Sequence, residues 1–199
     1  MARMSADERR ERLVEAAITV MTRDGVARAT TRAIVAEAEM PLGVFHYCFA
    51  SKKELVEQVI GTINAHAVSR VMAMTDTRAT FRESLRASVQ GYWEHVLTHP
   101  AEHMLTYELT QYALRQPGFE GVARTQYELY LGTLTAFLDD IANRLAVTYE
   151  LPTPVLARYL MTVVDGLTLN WIILGGEPEA AAVLDHVTDH VAGLVRERS

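Results

Sequence analysis

An all-α fold is what this 199-residue chain predicts, on three observations. Apolar residues recur at helical spacing, hydroxyl-and-carboxylate caps open the segments, and Pro or Gly closes them. No strand-like alternation, repeat or low-complexity tract competes with that pattern. The expected architecture is a small three-helix head (residues 1–53) joined through a fourth helix to a larger helical bundle (54–199).

Ser5-Ala-Asp-Glu8 is a capping box. Leu13, Ala16, Ala17, Val20 and Met21 follow at helical spacing until Gly25 stops the run. Thr30 or Thr31 caps a second helix with Ile34, Val35 and Ala38 inward, and a third covers about 42–49. Ser51-Lys-Lys-Glu54 opens a longer helix carrying Leu55, Val56, Val59, Ile60 and Ile63 on one side. Further helices are expected near 78–98 and 101–116, divided by His99-Pro100. Another is expected over about 120–149, then one over 155–174, and a last helix begins near Pro178 after Gly175-Gly176.

Composition narrows the class. Hydrophobic residues make up 49% and charged residues 22%, an ordinary globular balance. A chain of this length buries roughly 70% of its unfolded surface and needs no disulfide or metal staple. The single cysteine cannot form an internal disulfide, which suits a reducing cytoplasm. Asp7, Glu8 and Glu11 interrupt any signal-like N-terminus, and Asp165 and Asn170 break the most apolar stretch, so no membrane partner is expected.

The second and third helices, short and separated by a tight turn, have the form of a helix-turn-helix, whose second helix fits a DNA major groove. Phe45, Cys48 and Phe49 stand at i, i+3 and i+4 and share a buried face, leaving Leu42, Gly43, Val44, His46 and Tyr47 outside. Cys48, on the apolar side, reads as a packed thiol. The net charge of −6 is unevenly spread: residues 1–53 hold nine Lys/Arg against seven Asp/Glu, and the remainder ten against eighteen. The mild positive excess therefore sits on the head.

Residues 8–60 resemble the DNA-binding domain of the TetR family of bacterial transcription regulators. The likeness rests on Thr30-Thr31-Arg32, Gly43, the aromatic pattern ending at Phe49, and Ser51-Lys52-Lys53-Glu54-Leu55. It implies a phosphate contact for Thr30, Thr31 and Lys52, a base-edge or phosphate contact for Arg32, and a backbone or base contact for Tyr47. Gly43 lets the helix approach the groove, and Leu42 and Val44 offer apolar contact to thymine methyls. The turn departs from the family's usual Ala-Gly-Val-Ser, reading Ala38-Glu39-Met40-Pro41. Glu39 is thereby expected in the left-handed position that glycine usually fills, at a cost of roughly 1–2 kcal/mol. The likeness further implies a homodimer on a pseudo-palindromic operator and a small-molecule effector held in the body. Coupling would run through the helix that starts at Ser51.

In the body, Ala180, Leu184, Val187, Val191 and Leu194 form a heptad seam, read here as the dimer interface. Trp93, Tyr107, Tyr127, Asp165 and Trp171 are the candidate effector residues, with Asp165 pointing to a cationic or hydroxylated ligand. Plain core packing would use the same aromatics. His95, His99 and His103, and separately His186 and His190, repeat every four residues, but Pro100 breaks the first set and the second flanks the seam. Neither is read as a metal site, no cofactor is expected, and no catalytic or phosphate-loop motif occurs. The reading is a repressor rather than an enzyme. A protein-interaction adaptor that has lost DNA binding, or a small helical enzyme, are the rival readings.

Overall fold

The computed structural model describes residues 4–73 and 80–197. Helix α1 is Ala6–Asp24, capped by Ser5 and Glu8 in the expected box and stopped by Gly25 at φ 86°. Helices α2 (Thr31–Glu37) and α3 (Leu42–Cys48) follow. The Thr30 hydroxyl accepts the Ala33 N–H at 3.1 Å and caps α2. Glu39 does adopt the left-handed region, at φ 55°. The Met40 N–H bonds the Val35 carbonyl at 2.8 Å and the Glu39 N–H bonds that of Ala36 at 3.1 Å. This pair of bonds closes α2 in a Schellman turn. Pro41 is the N-cap of α3 and supplies no side-chain cap.

Longer helices follow: α4 (Lys52–Ala73), α5 (Phe81–Thr98), α6 (Pro100–Arg115), α7 (Val122–Arg144), α8 (Thr153–Leu174) and α9 (Glu177–Gly193). The expected start near residue 78 lies outside the described residues. Thr80 and Glu83 form a second capping box at α5.

The chain forms two compact units, neither of them continuous. The first combines Met1–Ala65 with Ala101–Gln126; the second combines His66–Pro100 with Tyr127–Ser199. The first unit is thus larger than a 1–53 head. Leu55, Val56, Val59 and Ile60 of α4 and Leu105, Leu109 and Ala113 of α6 share one core with Leu13, Met21, Ile34, Phe45 and Phe49. The second unit is built on Leu85, Leu138, Ile141, Leu156, Leu160 and Val191.

Two expectations change in the second unit. The helix expected to reach residue 149 stops at Arg144, and Ala146 turns left-handed at φ 52°. Val147–Tyr149 is then a short strand (β1), antiparallel to Val195–Glu197 (β2), with Thr148 opposite Arg196. β-Branched and aromatic residues favour that conformation, but three residues are too few to display an alternation. The heptad seam also changes meaning. Ala180, Leu184, Val187 and Val191 are 3%, 6%, 8% and 0% exposed within the chain itself, and Leu194 lies beyond the end of α9. Ala180 and Leu184 pack with Trp93 and Val96 of α5, and Val187 and Val191 with Leu85, Leu138 and Leu156. The seam is therefore intramolecular core, and α5 is further tied to α9 by Arg82–Asp189 and Arg86–Asp185.

Leu184→Asp is accordingly expected to destabilise the folded chain by about 3–5 kcal/mol, since it empties a packed site and buries a charge. Thermal denaturation followed by circular dichroism should show a large drop in Tm or loss of the cooperative transition, not a folded monomer.

Candidate DNA-reading face and effector site

The reading helix is held from behind by one arginine. Arg10 of α1 donates to the Cys48 carbonyl at the end of α3 and to Glu54 of α4 at 2.5 Å, with its guanidinium 4.4 Å from the Phe49 ring centroid. Glu54 also accepts the Ala50 N–H at 2.8 Å, while the Ser51 hydroxyl caps the Glu54 N–H. Arg10 foremost, with the Ala50 N–H, holds the Glu54 carboxyl below its usual pKa. Phe45, Cys48 and Phe49 face the core, as their spacing requires. Cys48 is a buried free thiol.

The opposite side of α3 is open. Tyr47 is 72% exposed, Leu42 is 39% exposed, and His46 lies outside with its ring edge against Phe45. Gly43 is exposed too, and a Cβ there would meet nothing within 4 Å. Arg32 projects from the first turn of α2 into solvent beside the exposed Thr30 and the half-buried Thr31. Val44 differs from its expected place: it is half-buried and packs against the core.

Lys52 also departs from expectation. Its ammonium donates to the Val26 carbonyl at 3.2 Å and lies 5.3 Å from the centroid of the Tyr112 ring. Burial pulls its pKa below the usual lysine value. The N–H of the same residue, Val26, is taken by Glu108 of α6 at 2.7 Å. Gly25 is required here twice over. Its φ of 86° suits glycine, and a Cβ would come within 3.0 Å of the Glu108 carboxylate. Arg10, Glu108 and Tyr112 were not legible as functional residues, because each acts across a gap of dozens of positions.

In the second unit the aromatic candidates form connected contacts. Trp93 and Trp171 meet edge to face at 5.8 Å. The Tyr127 hydroxyl donates to Asp165 at 3.2 Å, and Tyr127 and Tyr130 lie 6.2 Å apart. Tyr92, absent from the candidate set, shares a hydrogen bond with Thr168 at 3.2 Å, one turn from both Asp165 and Trp171 on α8. Burial, with the Asp165 charge contributing, pushes the Tyr92 phenol up to about 12. The buried Trp93 indole N–H has no partner among the described residues. Tyr107 stands on α6 and belongs to the first unit. The histidines are placed otherwise. The His95 and His99 rings lie 4.6 Å apart, and His190 packs on Tyr159. Among the described residues no group of three His, Cys, Asp or Glu side chains could hold a metal ion. No described helix is long and apolar enough to cross a membrane.

A helix-turn-helix with an open reading face, in a chain whose second helical unit holds paired aromatic residues, defines a class of DNA-binding transcription regulator. Residues 13–59 match the bacterial regulatory proteins of the tetR family, and residues 81–196 match the C-terminal domain of BetI-type transcriptional repressors. The chain belongs to the TetR family and is a ligand-responsive, DNA-binding transcriptional regulator. It is 27% identical over 187 residues to the HTH-type nicotine-responsive transcriptional repressor HdnoR of Paenarthrobacter nicotinovorans, covering 94% of this chain and 95% of that one. Among solved structures, it resembles the multidrug binding protein EbrR in complex with ethidium, with a TM-score of 0.68 and 27% identity over 90% of this chain and 98% of that one. A TetR-family regulator from Rhodococcus sp. shares the fold at a TM-score of 0.79 and 18% identity, over 94% and 99% of the two chains.

Glu108→Ala leaves the Val26 N–H, at a residue with no exposed surface, without its acceptor. The expected loss is about 1–3 kcal/mol of stability in the first unit. Glu108→Gln, which keeps a carbonyl oxygen in place, should recover part of it. Chemical denaturation of both variants, read by far-UV circular dichroism, checks the order.

Proposed function

We propose that this protein is a homodimeric cytoplasmic repressor that sits on a pseudo-palindromic operator and leaves it when a small molecule occupies the second unit. The observation that carries this reading is the exposed strip of Thr30, Arg32, Leu42, Gly43, His46 and Tyr47 on α2 and α3, held rigidly from behind by Arg10. Arg32 is its polar reader, able to fork onto a guanine edge. Tyr47 and the Thr30 hydroxyl would serve the backbone, with Thr31 at the helix start. Lys52 has a different role from a simple phosphate contact: its ammonium is committed to Val26 and Tyr112, so it fixes the head's first turn. The similarity to HdnoR, a repressor that responds to nicotine, supports both the repressing role and the release by a small molecule.

The dimer face is reassigned from α9 to α8. Val155, Thr162, Gly166, Leu169 and Ile173 recur along α8 at spacings of seven, four, three and four, and all are exposed. Val155, Leu169 and Ile173 are 52%, 38% and 68% exposed, and Val183 of α9 adds 39%. A heptad stripe of this kind facing solvent is the surface a second copy would cover. Two heads fixed by one dimer bind with an avidity that neither has alone. An effector releases the operator if it binds the conformer that misaligns the heads a few kcal/mol better than the other. Helix α4, which starts in the first unit at Lys52 and continues to Ala73, is the covalent route for that change.

Fluorescence anisotropy with labelled fragments from upstream of the protein's own gene tests the reading, which fails if no fragment is bound above a random duplex. Arg32→Ala is expected to cost about 1–3 kcal/mol on the bound fragment and to relax selectivity at one base pair. Leu169→Asp combined with Ile173→Asp should yield folded monomers in sedimentation with greatly weakened operator binding. A double variant that remains dimeric would move the interface off α8.

A further inference from the structure

We propose that the protein's own carboxylates and carbonyls occupy the cations of the head, so that the operator is chosen by neutral contacts and one arginine per protomer, Arg32. This rests on reading α2 and α3 as the DNA-reading face. The positive excess of residues 1–53, nine Lys/Arg against seven Asp/Glu, overstates the charge on offer to a duplex. Arg12 pairs with Glu39 at 3.4 Å. Arg23 pairs with Glu37 at 2.8 Å and with Asp24 at 3.1 Å. Arg10 is committed to Glu54 and the Cys48 carbonyl. Arg28 donates to the Asp24 carbonyl at 2.6 Å, and Lys52 to that of Val26. Arg9 and Lys53 each lie in the field of a carboxylate, Glu8 and Glu120. Among the described cations of the head, Arg32 alone has no such partner, and it is exposed beside Thr30.

Exposed ion pairs add little to stability, but a duplex feels their charge. Two opposite charges a few ångströms apart cancel at distances well beyond their separation, and salt screens the remainder within about 10 Å. Arg23 foremost lowers the Asp24 carboxyl below its usual pKa, as Arg10 does that of Glu54, so both acids stay ionised at neutral pH. Glu39 is the mask nearest the reading face. It stands three residues before Leu42 in the turn between α2 and α3, with its side chain 83% exposed. Phosphate neutralisation is the sequence-independent part of DNA affinity. Withholding cations therefore weakens binding to a random duplex more than to an operator, which is also met through its base edges. Discrimination rises while total affinity falls.

The test follows the full chain by fluorescence anisotropy on its bound upstream fragment and on a random duplex of equal length, across about 50 to 200 mM KCl. For the homodimer, log K against log salt should fall with a slope of about −2 to −4, from about one or two phosphate contacts per protomer. A total of roughly six to ten contacts would give about −5 to −9. Glu39→Gln, which releases Arg12, should raise random-duplex affinity by about three- to tenfold at the low-salt end and steepen the slope by about 1–2. Arg12→Gln alone should change affinity by less than about twofold, yet cancel the gain when combined with Glu39→Gln. The wild-type slope needs no variant and stands even if one misfolds. A slope of about −5 or steeper, a folded Glu39→Gln protein with unchanged random-duplex binding, or a gain that survives the loss of Arg12 overturns the proposal and leaves the reading face in place. If no fragment is bound above the random duplex at any salt, the reading-face assignment itself falls, and this proposal with it.

Discussion

The peptide unit at Val26 is the constraint on which the first unit depends. Its N–H donates to Glu108 and its carbonyl accepts from Lys52, so side chains from α6 and α4 grip the turn between α1 and α2. A buried backbone group left unpaired is costly, and here both groups of one residue are satisfied from outside the local chain. The turn sets where α2 begins, and α2 sets where α3 lies. Arg10 closes the other end, joining α1 to the last carbonyl of α3 and the first turn of α4. The reading face is thus positioned by a polar contact at each end and by the packed Phe45–Phe49 side between them.

Local features were legible in the sequence to the extent that their causes are local. The capping box at Ser5 and Glu8, the inward trio Phe45, Cys48 and Phe49, and the left-handed Glu39 all follow from neighbouring residues. The seam on α9 shows where that legibility ends. A heptad spacing says that a helix is faced by another helix, not which chain supplies it. Here α5 and α8 of the same chain do so, while the exposed stripe proposed for a partner runs along α8, where Thr162 and Gly166 dilute the apolar signal. The Lys52 contacts were hidden for a related reason: the family likeness gives a position, but the direction of a long side chain depends on what packs beside it. The Val26 carbonyl and Tyr112 were invisible neighbours.

Within the second unit, buried polarity is arranged economically. Tyr92 meets Thr168, Tyr127 meets Asp165, and Tyr149 donates to the Leu138 carbonyl at 2.7 Å. Each of these half-buried phenols places its hydroxyl tip on a hydrogen-bond partner, the arrangement expected of an amphipathic ring. Tyr149 also carries β1, so its bond to α7 helps seat the short sheet that ends the described chain.

The two units interleave along the chain, and this bears on how they come into being and how they can be taken apart. The first is incomplete until residue 126 has been synthesised, and the second lacks its closing strand until residues 195–197 are made. A ribosome delivering the chain from its N-terminus therefore completes the unit that carries the helix-turn-helix first and the second unit last. For the same reason no single cut liberates a reading head. Truncation after residue 65 would strip away Leu105, Leu109 and Ala113 along with Glu108, exposing one wall of the core and releasing the Val26 turn. A fragment able to stand alone would have to splice 101–126 back onto residues 1–65.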